Sequence, residues 1–66
     1  MITDDVLHHL ADKGHKDAQY QLGVRYCIRN NRALAKYWLK HAAKQGHPIA
    51  KDLLLELKKR NLFNDY

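Results

Sequence analysis

Five residues near the start of this chain recur, in the same order and at the same spacing, 32 positions later. Ala11, Gly14, His15, Ala18 and Leu22 are matched by Ala43, Gly46, His47, Ala50 and Leu54. A fixed period of this length marks stacked helical pairs, in which no single unit buries its apolar face alone. The chain is therefore expected to be all-α. It reads as a short helical solenoid of about four antiparallel helices, arranged as two stacked helix-turn-helix pairs.

Residues Ala18 to Ala50 carry one such hairpin. In its first half Ala18, Leu22 and Tyr26 share one helical face, while Tyr20, Val24 and Cys27 form a second stripe. A helix apolar on two sides needs two neighbours. In its second half Ala35, Trp38, Leu39, Ala42 and Ala43 face one way, with Lys36, Lys40 and Lys44 opposite. Gly23, Ala35, Ala42 and Ala43 have too little side chain to hold two axes apart, so the two helices are expected to approach closely.

AQYQLGVRY followed by AKYWLKHAAKQGH resembles the Sel-one-like repeat, a relative of the tetratricopeptide repeat. The shared positions are Leu22, Gly23 and Tyr26, then Ala35, with Leu39 where the repeat carries Phe. The chain departs from that family between Tyr26 and Ala33, where a shorter link replaces the usual loop. The resemblance implies that the first helix of each pair lines a concave surface that receives partners. It also implies adaptor-type function, which by itself is analogy.

Residues 1–15 read as a half repeat or N-terminal cap, 16–47 as the complete repeat, 48–61 as a C-terminal half repeat and 62–66 as an apolar tail. Thr3, Asp4 and Asp5 supply an N-cap and an acidic first turn, and Gly14 ends helix 1. Val6, Leu7, Leu10 and Ala11 are its expected buried face. Asp17 is the expected cap of helix 2, and Asn30-Asn31 a turn that also caps helix 3. Pro48 suits the first turn of helix 4. There Ile49, Ala50, Leu53, Leu54 and Leu57 are expected to point inward and Leu55 elsewhere.

Sixty-six residues allow one small domain, which buries only about 60% of the surface its unfolded chain exposes. The composition, 45% hydrophobic, argues against disorder. MITDDVLHHL lacks the basic segment and long apolar core of a secretory signal, and no apolar run approaches a membrane span of about 20 residues. Cys27 has no internal disulfide partner. The expected compartment is the cytoplasm, with no membrane contact. A formal charge of +5 favours a partner with an acidic component, protein or nucleic acid.

Candidate sites compete with plainer roles. His8 with Asp12, and His9 with His41, have ligand-type side chains, but no Cys or acidic cluster completes either set. His15 and His47 belong to the repeat's Gly-His turn. No metal and no cofactor are expected. Arg25 and Arg29 flank Cys27 in a way that lowers a thiol pKa, yet no nucleophile-base spacing accompanies it, so no enzyme activity is expected.

Tyr20, Val24, Arg25 and Cys27 are the leading partner-binding candidates, although packing between helical pairs explains Tyr20 and Val24 equally well. The 32-residue offset carries Tyr20 to Asp52 and Val24 to Glu56, so a groove between helices 2 and 4 would join an apolar half to an acidic half. Leu55, which faces elsewhere on helix 4, and Phe63 of the tail, which is expected to fold back over helix 4 or to bind a partner, are further candidates. The expected function is a non-enzymatic protein-interaction module, a small adaptor, regulator or inhibitor binding through this surface or through uncapped ends, where a homodimer is the competing occupant. The alternative is a small basic nucleic-acid-associated protein using Arg29, Arg32, Lys36, Lys40 and Lys44. The stripe is not expected to be interleaved with exposed aromatic rings, and a solvated outer face explains it equally well.

Overall fold

The computed structural model describes residues 3–60, all helical apart from turns and caps: α1 (Asp4–Asp12), α2 (Lys16–Ile28), α3 (Arg32–Lys44) and α4 (Pro48–Lys59). Each helix packs chiefly on its neighbours in sequence, with α2 against α3 the most extensive pair. The apolar tail, with Leu62, Phe63 and Tyr66, lies outside the described residues.

Helices 2, 3 and 4 begin 16 residues apart, because three identical turns precede them. The Gly14 N–H donates to the Ala11 carbonyl (3.0 Å) and the His15 N–H to Leu10 (3.1 Å). Asn30 and Asn31 do the same to Cys27 (3.1 Å) and Tyr26 (2.9 Å), and Gly46 and His47 to Ala43 (2.9 Å) and Ala42 (3.1 Å). This is the Schellman closure, which needs a left-handed residue at its first position. Gly14 (φ 95°), Asn30 (φ 61°) and Gly46 (φ 87°) provide it. The 32-residue period is thus two copies of one 16-residue helix-turn unit.

The starts of the helices are satisfied less uniformly. Thr3 Oγ1 accepts from the Val6 N–H (3.3 Å) and Asn31 Oδ1 from Leu34 (3.3 Å). The cap of α2 is His15, not Asp17, which falls inside the first turn. His15 makes no side-chain cap bond, whereas His47 Nδ1 accepts the Ala50 N–H at 3.1 Å. The difference lies in what holds the ring. Asp17 and Tyr20 of α2 fix His47, and no helix stands before α1 among the described residues to do this for His15.

Two apolar clusters form the interior. Leu7, Ala11, Ala18, Leu22 and Trp38 join α1, α2 and α3. Ala35, Leu39, Ala42, Ala50 and Leu54 join α3 to α4, with Tyr20 and Cys27 of α2 against them. Tyr26 borders both, so α2 has the two apolar faces expected of it. The close approach is also present. A Cβ built on Gly23 would stand 2.5 Å from Leu39 Cγ, and Leu39 is completely buried.

Two residues expected inside are outside. Val6 is 45% exposed because it is the α1 counterpart of Trp38, on a flank that no further helix among the described residues covers. Ile49 is 56% exposed, since it lies about 100° around α4 from Ala50 and about 140° from Leu54. Leu53 and Leu57 are half-buried, and Leu55 faces outward as expected.

Candidate partner-binding surface

The α2 side of the expected groove is largely occupied by the fold itself. Tyr20 is half-buried and lies flat on the His47 ring, with centroids 4.6 Å apart and planes at 18°. His47 Nε2 stands 3.2 Å from Asp17 Oδ1. With Nδ1 accepting a backbone N–H, the proton sits on Nε2 and is donated to Asp17. One ring therefore ties the start of α2 to the start of α4. Val24 is half-buried beside this contact in the chain.

Arg25 turns to α1 rather than to α4. Its Nη1 donates to Asp4 Oδ1 (3.0 Å), and Arg29 Nη2 donates to Asp4 Oδ2 (2.6 Å). The Arg29 hydrogen bond, joined by the charges of both guanidiniums and opposed by burial, holds the Asp4 carboxyl below its usual range. Beside this pair His8 Nε2 meets the Tyr26 hydroxyl at 2.8 Å, which closes the α1–α2 edge.

This edge corrects the expectation for Cys27. With the neighbouring arginines engaged by Asp4, burial dominates and pushes the thiol up, not down. Cys27 is a half-buried packing group. Among the described residues no three His, Cys, Asp or Glu side chains gather where a metal ion would fit.

On the α4 side the candidates among the described residues are exposed. Asp52 and Glu56 are exposed one turn apart, Glu56 reaching Arg60 at 3.5 Å. Leu55 is 51% exposed on an adjoining flank. Of the proposed groove, then, Asp52, Leu55 and Glu56 face solvent, while Tyr20, Val24 and Cys27 are half-buried; Phe63 lies outside the described residues. A separate hollow of about 490 Å³ opens at the α1–α2 turn, lined among others by Leu10, His15, Asp17 and Gln45. It holds none of the partner-binding or basic-stripe candidates named from the sequence.

The basic stripe divides. Arg29 belongs to the Asp4 pair, whereas Arg32, Lys40 and Lys44 are exposed and Lys36 is half-buried. Burial, with Lys40 and Lys58 nearby, lowers the Lys36 pKa. The expectation of no exposed aromatic rings in this stripe is wrong. Tyr37 is 51% exposed and its ring lies 4.5 Å from that of His41; the two line a hollow of about 150 Å³ with Lys40 and Lys44. The signal was available, because positions 37, 40, 41 and 44 share one helical face.

Two buried polar groups carry no sequence signal of their roles. Gln19 donates to the Ala11 carbonyl (3.0 Å) and accepts from Gln45 (2.8 Å), linking α1, α2 and the α3–α4 turn. Trp38 Nε1 is buried with no acceptor among the described residues. No helix among these residues is long and apolar enough to cross a membrane. Compared with family models, with curated proteins and with solved structures, the chain matches none.

Proposed function

We propose that this chain is a non-enzymatic protein-interaction module of the Sel-one-like type, which engages another protein through the outer surface of α4. A comparison within the chain supports this reading. Gly23 sits where α2 meets α3 most closely, and its counterpart 32 residues later is Leu55. The same helical position is thus a contact surface in α2 and an exposed leucine in α4, with Asp52 and Glu56 on the adjoining flank. An isobutyl group in place of a hydrogen also prevents a fifth helix from approaching as closely as α3 approaches α2. The surface suits a partner of different shape, with an apolar pocket for Leu55 and donors for the two carboxylates.

Burying a leucine side chain fully is worth about 1.5–3 kcal/mol, enough to make Leu55 an anchor of a small interface. The test is retention of a host protein by the immobilised chain at low and moderate salt. Leu55→Asp should abolish retention, and replacing Lys40 and Lys44 by Glu should leave it in place. Retention that survives Leu55→Asp, or that disappears at moderate salt, contradicts the assignment.

A further inference from the structure

The outer face of α3 carries a second kind of partner chemistry, on residues that the proposed α4 surface does not include. No Asp or Glu occurs between Asp17 and Asp52, so the helix RALAKYWLKHAAK is basic without internal compensation. Lys36, Lys40 and Lys44 recur at each turn, about 6 Å apart along the axis. Beside them the Tyr37 ring is held edge-on to Trp38, with centroids 5.0 Å apart and planes at 88°, and leans on His41 at 4.5 Å and 60°. Trp38 is buried, so the exposed tyrosine stands on a fixed support. The hollow of about 150 Å³ among Tyr37, Lys40, His41 and Lys44 places ring surface and ammonium groups side by side.

An amphipathic helix needs only some polar outer face, and the chain contains its own control for that explanation. Helix α1 is the 32-residue counterpart of α3, and its equivalent positions are Asp4 for Lys36, Asp5 for Tyr37, His8 for Lys40, His9 for His41 and Asp12 for Lys44. At these positions α1 carries acids in place of Lys36, Tyr37 and Lys44 and histidines in place of Lys40 and His41; Asp4 and His8 are taken up by the contact with α2, whereas Asp5, His9 and Asp12 are exposed. Solubility is met by either sign. Tyr37 and Lys44 stand where α1 carries exposed acids, so solvation alone does not call for a ring and a lysine there.

We propose that this face binds single-stranded nucleic acid, with Lys40 and Lys44 on phosphates and an unpaired base on the Tyr37 and His41 rings. Lysines act as point charges toward phosphates, while a row of carboxylates is better met by arginine forks. An acidic peptide would also leave the ring surface unused, and a duplex keeps its bases stacked away from it. Base-on-ring stacking with a basic track is the common form of sequence-tolerant single-strand binding.

Fluorescence anisotropy with labelled oligonucleotides of about 12 residues, single-stranded and duplex, tests this on the full chain. The single strand should bind, with affinity falling by a log-log salt slope of about −2 to −3 for three or four phosphates. Lys40→Glu with Lys44→Glu should abolish binding, and Tyr37→Ala should weaken it roughly tenfold while Tyr37→Phe retains it. Leu55→Asp should leave it unchanged, which separates this surface from the protein-binding one. Circular dichroism of each variant checks that the helices are kept. No binding at about 50 mM salt, equal binding of duplex, competition by polyglutamate as effective as by the oligonucleotide, or an unaffected Tyr37→Ala variant would each overturn the proposal.

Discussion

His47 and His15 occupy the same position in the repeat and precede their helices through the same turn, yet only His47 is built into the fold. Replacing His47 by Ala removes the acceptor for the buried Ala50 N–H (3.1 Å) and the ring stacked on Tyr20 (4.6 Å). Loss of an N-cap costs about 1 kcal/mol, and an aromatic stack is worth roughly 0.5–1.5 kcal/mol beyond its area. The exposed Asp17 carboxylate adds little. The expected loss is about 2 kcal/mol, against a total stability of about 3–10 kcal/mol for a chain of this length. Thermal unfolding should show a fall in Tm of roughly 10 °C. His15→Ala removes no side-chain cap bond and an exposed ring, so its effect should stay within about 0.5 kcal/mol. His47→Asn, which keeps a capping side chain, should recover the cap but not the stack. Equal losses for His47→Ala and His15→Ala would refute the reasoning, because both turns would then depend on histidine in the same way.

Gly23→Ala should destabilise by about 1–3 kcal/mol despite a helix-propensity gain of about 1 kcal/mol, since the new methyl meets the buried Leu39 side chain and, at 3.3 Å, its backbone nitrogen; a raised Tm would contradict the close packing. Asp4 is held below its usual value near 3.8, so its contribution is complete above that value and lost as pH falls through the lowered one. Urea titrations down to about pH 2 should therefore show a shallower acid-side decline for Asp4→Asn than for the parent. The thiol of Cys27, raised by burial, should be alkylated more slowly at neutral pH than a free cysteine and faster in denaturant; a rate at or above that of the free amino acid would mean that the arginines govern it after all.

Much of the fold was legible because repetition at 32 residues leaves little freedom in a chain this short. Helix number followed from it, while the α2–α3 close approach at Gly23 was read from the small residues there and the outward direction of Leu55 from the apolar face of α4. The 16-residue unit was not legible, because Asn30-Asn31 replaces Gly-His at the central turn; only the shared left-handed backbone shows the three turns to be one structure. Val6 and Ile49 were misplaced for a common reason. Apolar residues on a helix face were assigned to the interior without asking whether a neighbouring helix stood there to cover them. At the candidate site, Arg25 was misread because its partner Asp4 lies 21 residues away in sequence, and such a pairing has no local signal. The Cys27 error follows from the same pair. Tyr37 was missed because the lysines were read as a line along α3, whereas the hollow is formed by the helical neighbours at 37, 40, 41 and 44.

The most direct test of the proposed function is a photo-crosslinking residue placed at position 55 in the host cell, with a second placed at exposed position 21, the counterpart of half-buried Leu53. If α4 is the partner surface, position 55 yields one predominant protein adduct and position 21 yields none above background. Adducts of equal strength at both positions, or none at position 55 with the chain folded, would contradict it.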